Sequence, residues 1–320
     1  MTCISGVGIG NKTNYVYTDN GKVYKKPDTV QNVTGTLAGL TAASCTQKGV
    51  QKIFNIPIMN FMKSQAQGVG SMGSRIMAKM SADNIAYKEA AKAAFEHSVL
   101  PAKGVKLFNA EGQSAAVLDV IKKEMPKVLT ANKTLSRFIE QRIIKPAAQA
   151  VVDGKNALFA AKSQKVVVNM EKTSFFAFHE MGHALNKNAS KIGKFLQKSR
   201  VLCGVTGAFA LYTAVFKRKK AEGEEPKGIF DKATTFIKEH AGKIAFLSML
   251  PVVAEETMAS VKGAKLAKGL LSPELYKNLN KMNAKAGLTY LGAAVGMGLA
   301  AYIGKTVRDA IAGPKEVHKA

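Results

Sequence analysis

Residues 173–186 read Thr173-Ser174-Phe175-Phe176-Ala177-Phe178-His179-Glu180-Met181-Gly182-His183-Ala184-Leu185-Asn186. The reading of this stretch decides the rest. Thr173 or Ser174 is placed to cap a helix that follows. Phe175, Phe176, Phe178, Met181 and Leu185 supply apolar surface to bury it. Along such a helix His179 and His183 fall four residues apart, so both imidazoles share one face and can share one tetrahedral metal ion. Glu180 is offset by about 100° from its neighbour. It is poorly placed as a ligand in the same plane but well placed to take a proton from a metal-bound water. Gly182 leaves room beside the metal for another segment. The chain holds only five histidines, and two of them stand at ligand spacing around a glutamate.

A zinc site of this kind needs a third protein ligand. The metzincin pattern requires Gly three residues and His six residues after the second histidine, where this chain has Asn186 and Ala189. No Asp, Glu or His occurs between Ala184 and Ala221, so a carboxylate about 20 residues on, as in thermolysin-like enzymes, is absent. Glu222, Glu224 and Glu225 lie in a lysine-rich loop that reads as solvated. The next acids are Glu255 and Glu256, at the end of the run Leu250-Pro251-Val252-Val253-Ala254. Two carboxylates there are costly to bury unless something positive compensates them, and a zinc ion would. From the residues alone, either one of this pair can be the ligand.

The pattern His-Glu-x-x-His followed, after a helical hairpin, by Glu256-Thr257-Met258-Ala259-Ser260 resembles the gluzincin-like membrane zinc peptidases of the CAAX prenyl protease and heat-shock protease type. It also resembles the smaller bacterial neutral zinc metallopeptidases. The resemblance covers about residues 155–270. It implies zinc held by His179, His183 and Glu256, with Glu255 as the fallback, and Glu180 as general base. It implies that Ser260 supports a zinc-binding histidine, that the 165–170 strand lies beside the cleft, and that an extended substrate adds to that strand's edge. Ser260 departs from the aspartate of the prenyl-protease type, and the intervening apolar blocks are short. His240 and Tyr290 are the candidates for a carbonyl-oxygen donor, although each also suits a surface or core role.

The chain has 320 residues and a formal charge of +25, from 47 Lys+Arg against 22 Asp+Glu. Such an excess favours nucleic acid or an anionic membrane face as partner. Specific nucleic-acid binding is not expected: no binding module is recognisable, and the aromatic residues are not interleaved with the lysines for stacking. Cys3, Cys45 and Cys203 offer neither a disulfide framework nor a cysteine zinc site and suit a reducing compartment. Residues 1–10 lack the pattern of a signal peptide.

The expected organisation is an N-terminal region (1–74), a helical region (75–154), a zinc peptidase core (155–270) and a C-terminal hydrophobic helix with a basic tail (271–320). In the first, Asn14–Tyr17 and Lys22–Tyr24 flank Asp19-Asn20-Gly21 and predict a hairpin with an Asn-Gly turn. The alternative reading of the same segment is a disordered polar arm. Gly68-Val69-Gly70-Ser71-Met72-Gly73 matches G-x-G-x-x-G, but no strand precedes it, so it reads as a linker. Residues 75–98, 114–126 and 132–151 predict helices, and Val166-Val167-Val168 a strand.

Three apolar blocks follow. Residues 201–216 and 286–304 carry no charge, and 244–254 is a shorter block containing Pro251. Against the ~20 residues of a bilayer span, only 286–304 qualifies outright. Residues 201–216 are marginal unless Arg200 and Lys217 snorkel, and 244–254 is too short unless re-entrant or buried in protein. Gly292 and Gly296 suit close helix packing in lipid. Eight basic residues between the first two blocks speak against a crossing there. Shallow or buried helices would keep the charge on the cytoplasmic face.

The fold expected is thus mainly α: a helical zincin-like metallopeptidase domain, a small β element beside the motif helix, and hydrophobic helices suited to a membrane. The function expected is a zinc-dependent metalloendopeptidase acting on peptide or protein substrates, membrane-associated, with its active site on the cytoplasmic side. The competing readings are a non-catalytic membrane scaffold and a basic nucleic-acid-binding protein.

Overall fold

The computed structural model describes residues 15–17, 22–54, 71–125 and 133–317. The chain is mainly helical, with two small three-stranded sheets. The elements are β1 (Tyr15–Tyr17), β2 (Val23–Lys25), α1 (Thr29–Phe54), α2 (Ser71–Ala82), α3 (Asn84–Glu96), β3 (Lys106–Asn109) and α4 (Ser114–Glu124). Then come α5 (Lys133–Ile139), a π-helical turn (Glu140–Ile144), α6 (Lys145–Val152), β4 (Leu158–Ala160) and β5 (Lys165–Val168). The motif helix is α7 (Phe176–Ala189), followed by α8 (Lys191–Phe216), α9 (Gly228–Glu239), α10 (Ala241–Ala267), α11 (Pro273–Ala312) and β6 (Lys315–Glu316). The chain forms two compact units, one from residues 48–204 and 249–295, the other from 1–47, 205–248 and 296–320.

The first unit is layered around a sheet of order β3-β5-β4. β3 runs parallel to β5, pairing Leu107 with Val166, and β4 runs antiparallel to it, pairing Phe159 with Val166. The run of valines in β5 is buried on both sides, as a central strand requires. Val166 and Val168 pack with Phe175, Phe178, Met181 and Ala184 of the motif segment. Val167 turns to the opposite layer, where Val117 and Val120 of α4 and Ala148 and Val151 of α6 cover it. The alternation fixes which face of the sheet carries α7.

The approach to α7 differs from the expected cap. Ser174 does not cap the helix: its hydroxyl donates to Asn84 Oδ1 at 2.8 Å, and its N–H donates to the same oxygen at 2.8 Å. Asn84, buried at the start of α3, also donates to the Met170 carbonyl at 3.0 Å. The Thr173 hydroxyl does not cap α7 either. One side chain thus ties α3 to both ends of the 170–174 turn. Asn84→Ala leaves these buried groups unpaired and is expected to cost about 1–3 kcal/mol. A lowered melting temperature checks this; an unchanged one would mean the turn is held by other contacts.

Several expected boundaries move. The helix expected over 75–98 breaks at Asp83, and the one over 132–151 contains the π turn. Ser71–Gly73 forms the first turn of α2 rather than a linker, while Gly68–Gly70 lies outside the described residues. The β1–β2 hairpin is present, joined by β6; its turn lies outside the described residues. Residues 29–54, for which the sequence gives only a Gly-, Thr- and Asn-rich composition, form α1.

In the second unit, glycines let helices meet closely. A Cβ on Gly39 of α1 would lie 2.8 Å from the Gly304 carbonyl oxygen of α11, and one on Gly242 of α10 would lie 3.0 Å from the Gly298 carbonyl oxygen. This explains the glycine-rich character of α1 that reads as loop in sequence.

α8, α10 and α11 are each long and apolar enough to cross a membrane. The second apolar block is therefore part of a 27-residue helix that continues through Pro251, not an isolated short segment. Val205, Phe209, Tyr212 and Phe216, spaced along one face of α8, are all exposed. Lys217, at the end of the first apolar block, donates to Asp231 Oδ1 at 2.7 Å.

Candidate metal centre

Residues of the first unit on three helices build the site. α7 carries His179, Glu180 and His183, α10 carries Glu255, Glu256 and Ser260, and α8 carries Arg200. The helices α7 and α10 meet backbone to backbone. A Cβ on Gly182 would stand 1.9 Å from the Ala259 carbonyl oxygen, and one on Gly263 would stand 2.2 Å from that of Phe178. Gly182 therefore does what the sequence suggests, and Gly263 is its counterpart on the partner helix. Only this approach brings the short carboxylate arms of α10 to the imidazoles.

His179 Nε2, His183 Nε2 and Glu256 Oε2 converge. His179 Nε2 lies 3.0 Å from His183 Nε2 and 3.2 Å from Glu256 Oε2, and His183 Nε2 lies 3.4 Å from that same oxygen. Zinc–ligand bonds of about 2.0–2.1 Å in a tetrahedron set ligand atoms about 3.3–3.4 Å apart. The three atoms fit such a face. A carboxylate oxygen of Glu180 lies within 4.8 Å of the histidine ligand atoms.

The outer atoms of the same side chains are each tied down, which leaves the inner ones for a metal. His179 Nδ1 is 3.1 Å from Ser260 Oγ, and His183 Nδ1 is 2.9 Å from Glu255 Oε1. Glu256 Oε1 accepts from Arg200 Nη2. The geometry separates the two carboxylates that sequence leaves open. Glu255 sits behind His183, fully buried, and accepts from Asn186 Nδ2 and Gln197 Nε2 at 2.9 Å each and from Arg200 Nη1 at 3.1 Å. Glu256 faces the histidine Nε2 atoms.

The charge also fits. Glu180, Glu255 and Glu256 outnumber the one guanidinium by two, the deficit a divalent cation matches. In the metal-free arrangement His183 takes part of that role. Burial opposes its charge, but the carboxylates of Glu256 and Glu255 outweigh burial and raise its pKa to about 10. His183 must give up a proton to ligate through Nε2.

A cavity of about 260 Å³ opens on these residues. One wall is the stretch 156–161, with Leu158 and Phe159 of β4; others are Phe175 and Phe176, and Leu279, Met282 and Ala286 of α11. Here the structure corrects the expected substrate edge. β5 is the central strand, paired on both sides, and β4 is the edge strand beside the cavity.

Tyr290 lines the cavity, whereas His240 is exposed and meets Phe236 edge-on, ring centroids 4.6 Å apart. Arg200 turns inward to Glu255 and Glu256 rather than snorkelling. Its role, and those of Asn186 and Gln197, are not signalled by the sequence: nothing in an Arg preceding an apolar run marks a partner 55 residues away. No family model, curated protein or solved structure matches the chain.

Proposed function

We propose that this chain is a zinc-dependent metallopeptidase that acts at a membrane with its site on the cytoplasmic side. The observation that carries the reading is the convergence of His179 Nε2, His183 Nε2 and Glu256 Oε2 within 3.0–3.4 Å of one another beside Glu180. Zinc bound there would polarise a carbonyl and lower the pKa of a bound water. The protein's own groups supply the rest. Glu180 accepts the water's proton and returns it to the leaving amine. Tyr290 is the cavity phenol; its hydroxyl bonds to Glu256 and would have to turn from it to donate to the carbonyl oxygen as charge builds there. The edge of β4 offers backbone groups to an extended peptide, and Leu158, Phe159, Leu279 and Met282 give its side chains an apolar lining. The resemblance to membrane zinc peptidases agrees with this site, and α8, α10 and α11 agree with a membrane setting. The large positive excess of the chain suits the anionic cytoplasmic leaflet.

The test is Glu180→Gln in purified protein assayed on an unstructured protein substrate. Turnover is expected to fall by about 10²–10⁴-fold, with zinc content unchanged because Glu180 is not a ligand. Undiminished cleavage would remove Glu180 from the mechanism and with it the peptidase reading.

A further inference from the structure

α9 is amphipathic the wrong way round for a helix surrounded by water. Its inward side sets ion pairs beside Ile237, which packs against the Ala210–Ala245 cluster. Lys238 is buried and bonds to Asp309 Oδ1 at 2.8 Å and to the Ala214 carbonyl at 3.0 Å. Asp231 accepts from Lys217 and Lys220 at 2.7 and 2.6 Å. Its outward face is apolar: Ile229, Phe230 and Phe236 are 85%, 89% and 58% exposed. A short helix that packs ion pairs inward and turns two phenylalanines and an isoleucine outward has its apolar surface matched to an apolar medium.

We infer that α9 lies in the interfacial plane of an anionic bilayer, with Ile229, Phe230 and Phe236 seated at the acyl boundary. Two further observations identify the occupant as lipid. α9 joins α10, a helix long and apolar enough to span, through His240 alone, and it follows α8, another such helix, after residues 217–227. It therefore sits where the chain passes between two lipid-compatible helices. Lys219, Lys227, Lys232 and Lys243 around it are exposed and have no acidic partner among the described residues, and they complement anionic headgroups. Lys217, Arg218, Lys220 and Lys238 are instead paired internally with Asp231, Glu224 and Asp309. The eight basic residues of this stretch thus divide into an internal set and a set free to meet headgroups.

The inference rests on the membrane reading above, and the experiment separates the two. The chain contains no tryptophan, so Phe230→Trp introduces a single fluorophore, and Phe209→Trp on the exposed stripe of α8 is its companion. Each full-length variant is reconstituted into vesicles of phosphatidylcholine and phosphatidylglycerol doped with lipids brominated near the headgroup or deep in the chain. For Phe230→Trp the expected result is a blue-shifted emission, quenched more by shallow bromines than by deep ones. This preference weakens when Lys227→Gln and Lys232→Gln are added. Quenching of Phe209→Trp beside water-like, unquenched emission from Phe230→Trp would overturn the inference and leave the membrane reading intact. Blue-shifted but unquenched emission from Phe230→Trp would overturn it in favour of a covering protein, such as a second copy. Absence of quenching in both variants would overturn both readings. Shallow quenching indifferent to the lysine changes would overturn the anionic-headgroup assignment.

Discussion

Glu256→Ala is expected to leave the purified chain without bound zinc, while Glu255→Ala is expected to retain it with an affinity lower by about 10–100-fold. The two residues are adjacent, of the same type and both buried, so sequence and burial cannot rank them. Their contacts can. Glu256 Oε2 is the oxygen that faces both histidine Nε2 atoms, at 3.2 and 3.4 Å. Removing it takes away one of three ligands and leaves Arg200 without its Glu256 partner beside the site. Glu255 instead holds His183 from behind and is itself held by Asn186, Gln197 and Arg200. Its loss unfixes the ring and its tautomer without removing a donor to the metal. Isothermal titration of the chelator-stripped proteins with zinc measures both. Equal loss in the two variants, or a larger loss for Glu255→Ala, would reverse the assignment.

The second large effect is expected from a single methyl group. Gly182→Ala places a Cβ 1.9 Å from the Ala259 carbonyl oxygen, and the obstacle is backbone, not a side chain that can rotate away. Helices α7 and α10 must separate, so the cost should reach or exceed the ~3 kcal/mol upper range of ordinary overpacking. Separation also draws the α10 carboxylates from the imidazoles, so zinc affinity falls with stability. Gly263→Ala should behave alike, since its Cβ would meet the Phe178 carbonyl at 2.2 Å. Gly204→Ala is the control: it also replaces a helix glycine, but open space surrounds it. Melting temperature and zinc titration of the three variants decide the matter. A Gly182→Ala protein as stable as the Gly204→Ala protein would mean that the two helices do not approach this closely.

What the sequence reveals here follows from how local each signal is. The spacing of His179, Glu180 and His183 is a property of one helix, so it can be read without knowing the fold. The alternation of Val166, Val167 and Val168 cannot be read in the same way, because a β-branched run shows a buried strand but not its place in the sheet. The resemblance implies β5 as the substrate edge, but it carries no strand order: the neighbour that closes β5 comes from β3, some 60 positions earlier. α1 was hidden for a different reason. Gly35 and Gly39 read as loop residues on intrinsic propensity, yet they serve helix packing that only the tertiary structure reveals. Arg200 reads as a residue at the end of an apolar run, and its carboxylate partners lie on a helix that follows much later. The pair Glu255 and Glu256 could be found by elimination, but their separate tasks depend on which side of each imidazole they meet.

Zinc K-edge absorption together with metal content on the purified wild-type chain tests the metal centre itself. About one zinc per chain is expected, bound by nitrogen and oxygen at about 2.0–2.1 Å with no sulfur in its shell. Well-folded protein that takes up no zinc, or zinc bound through cysteine sulfur, would contradict it.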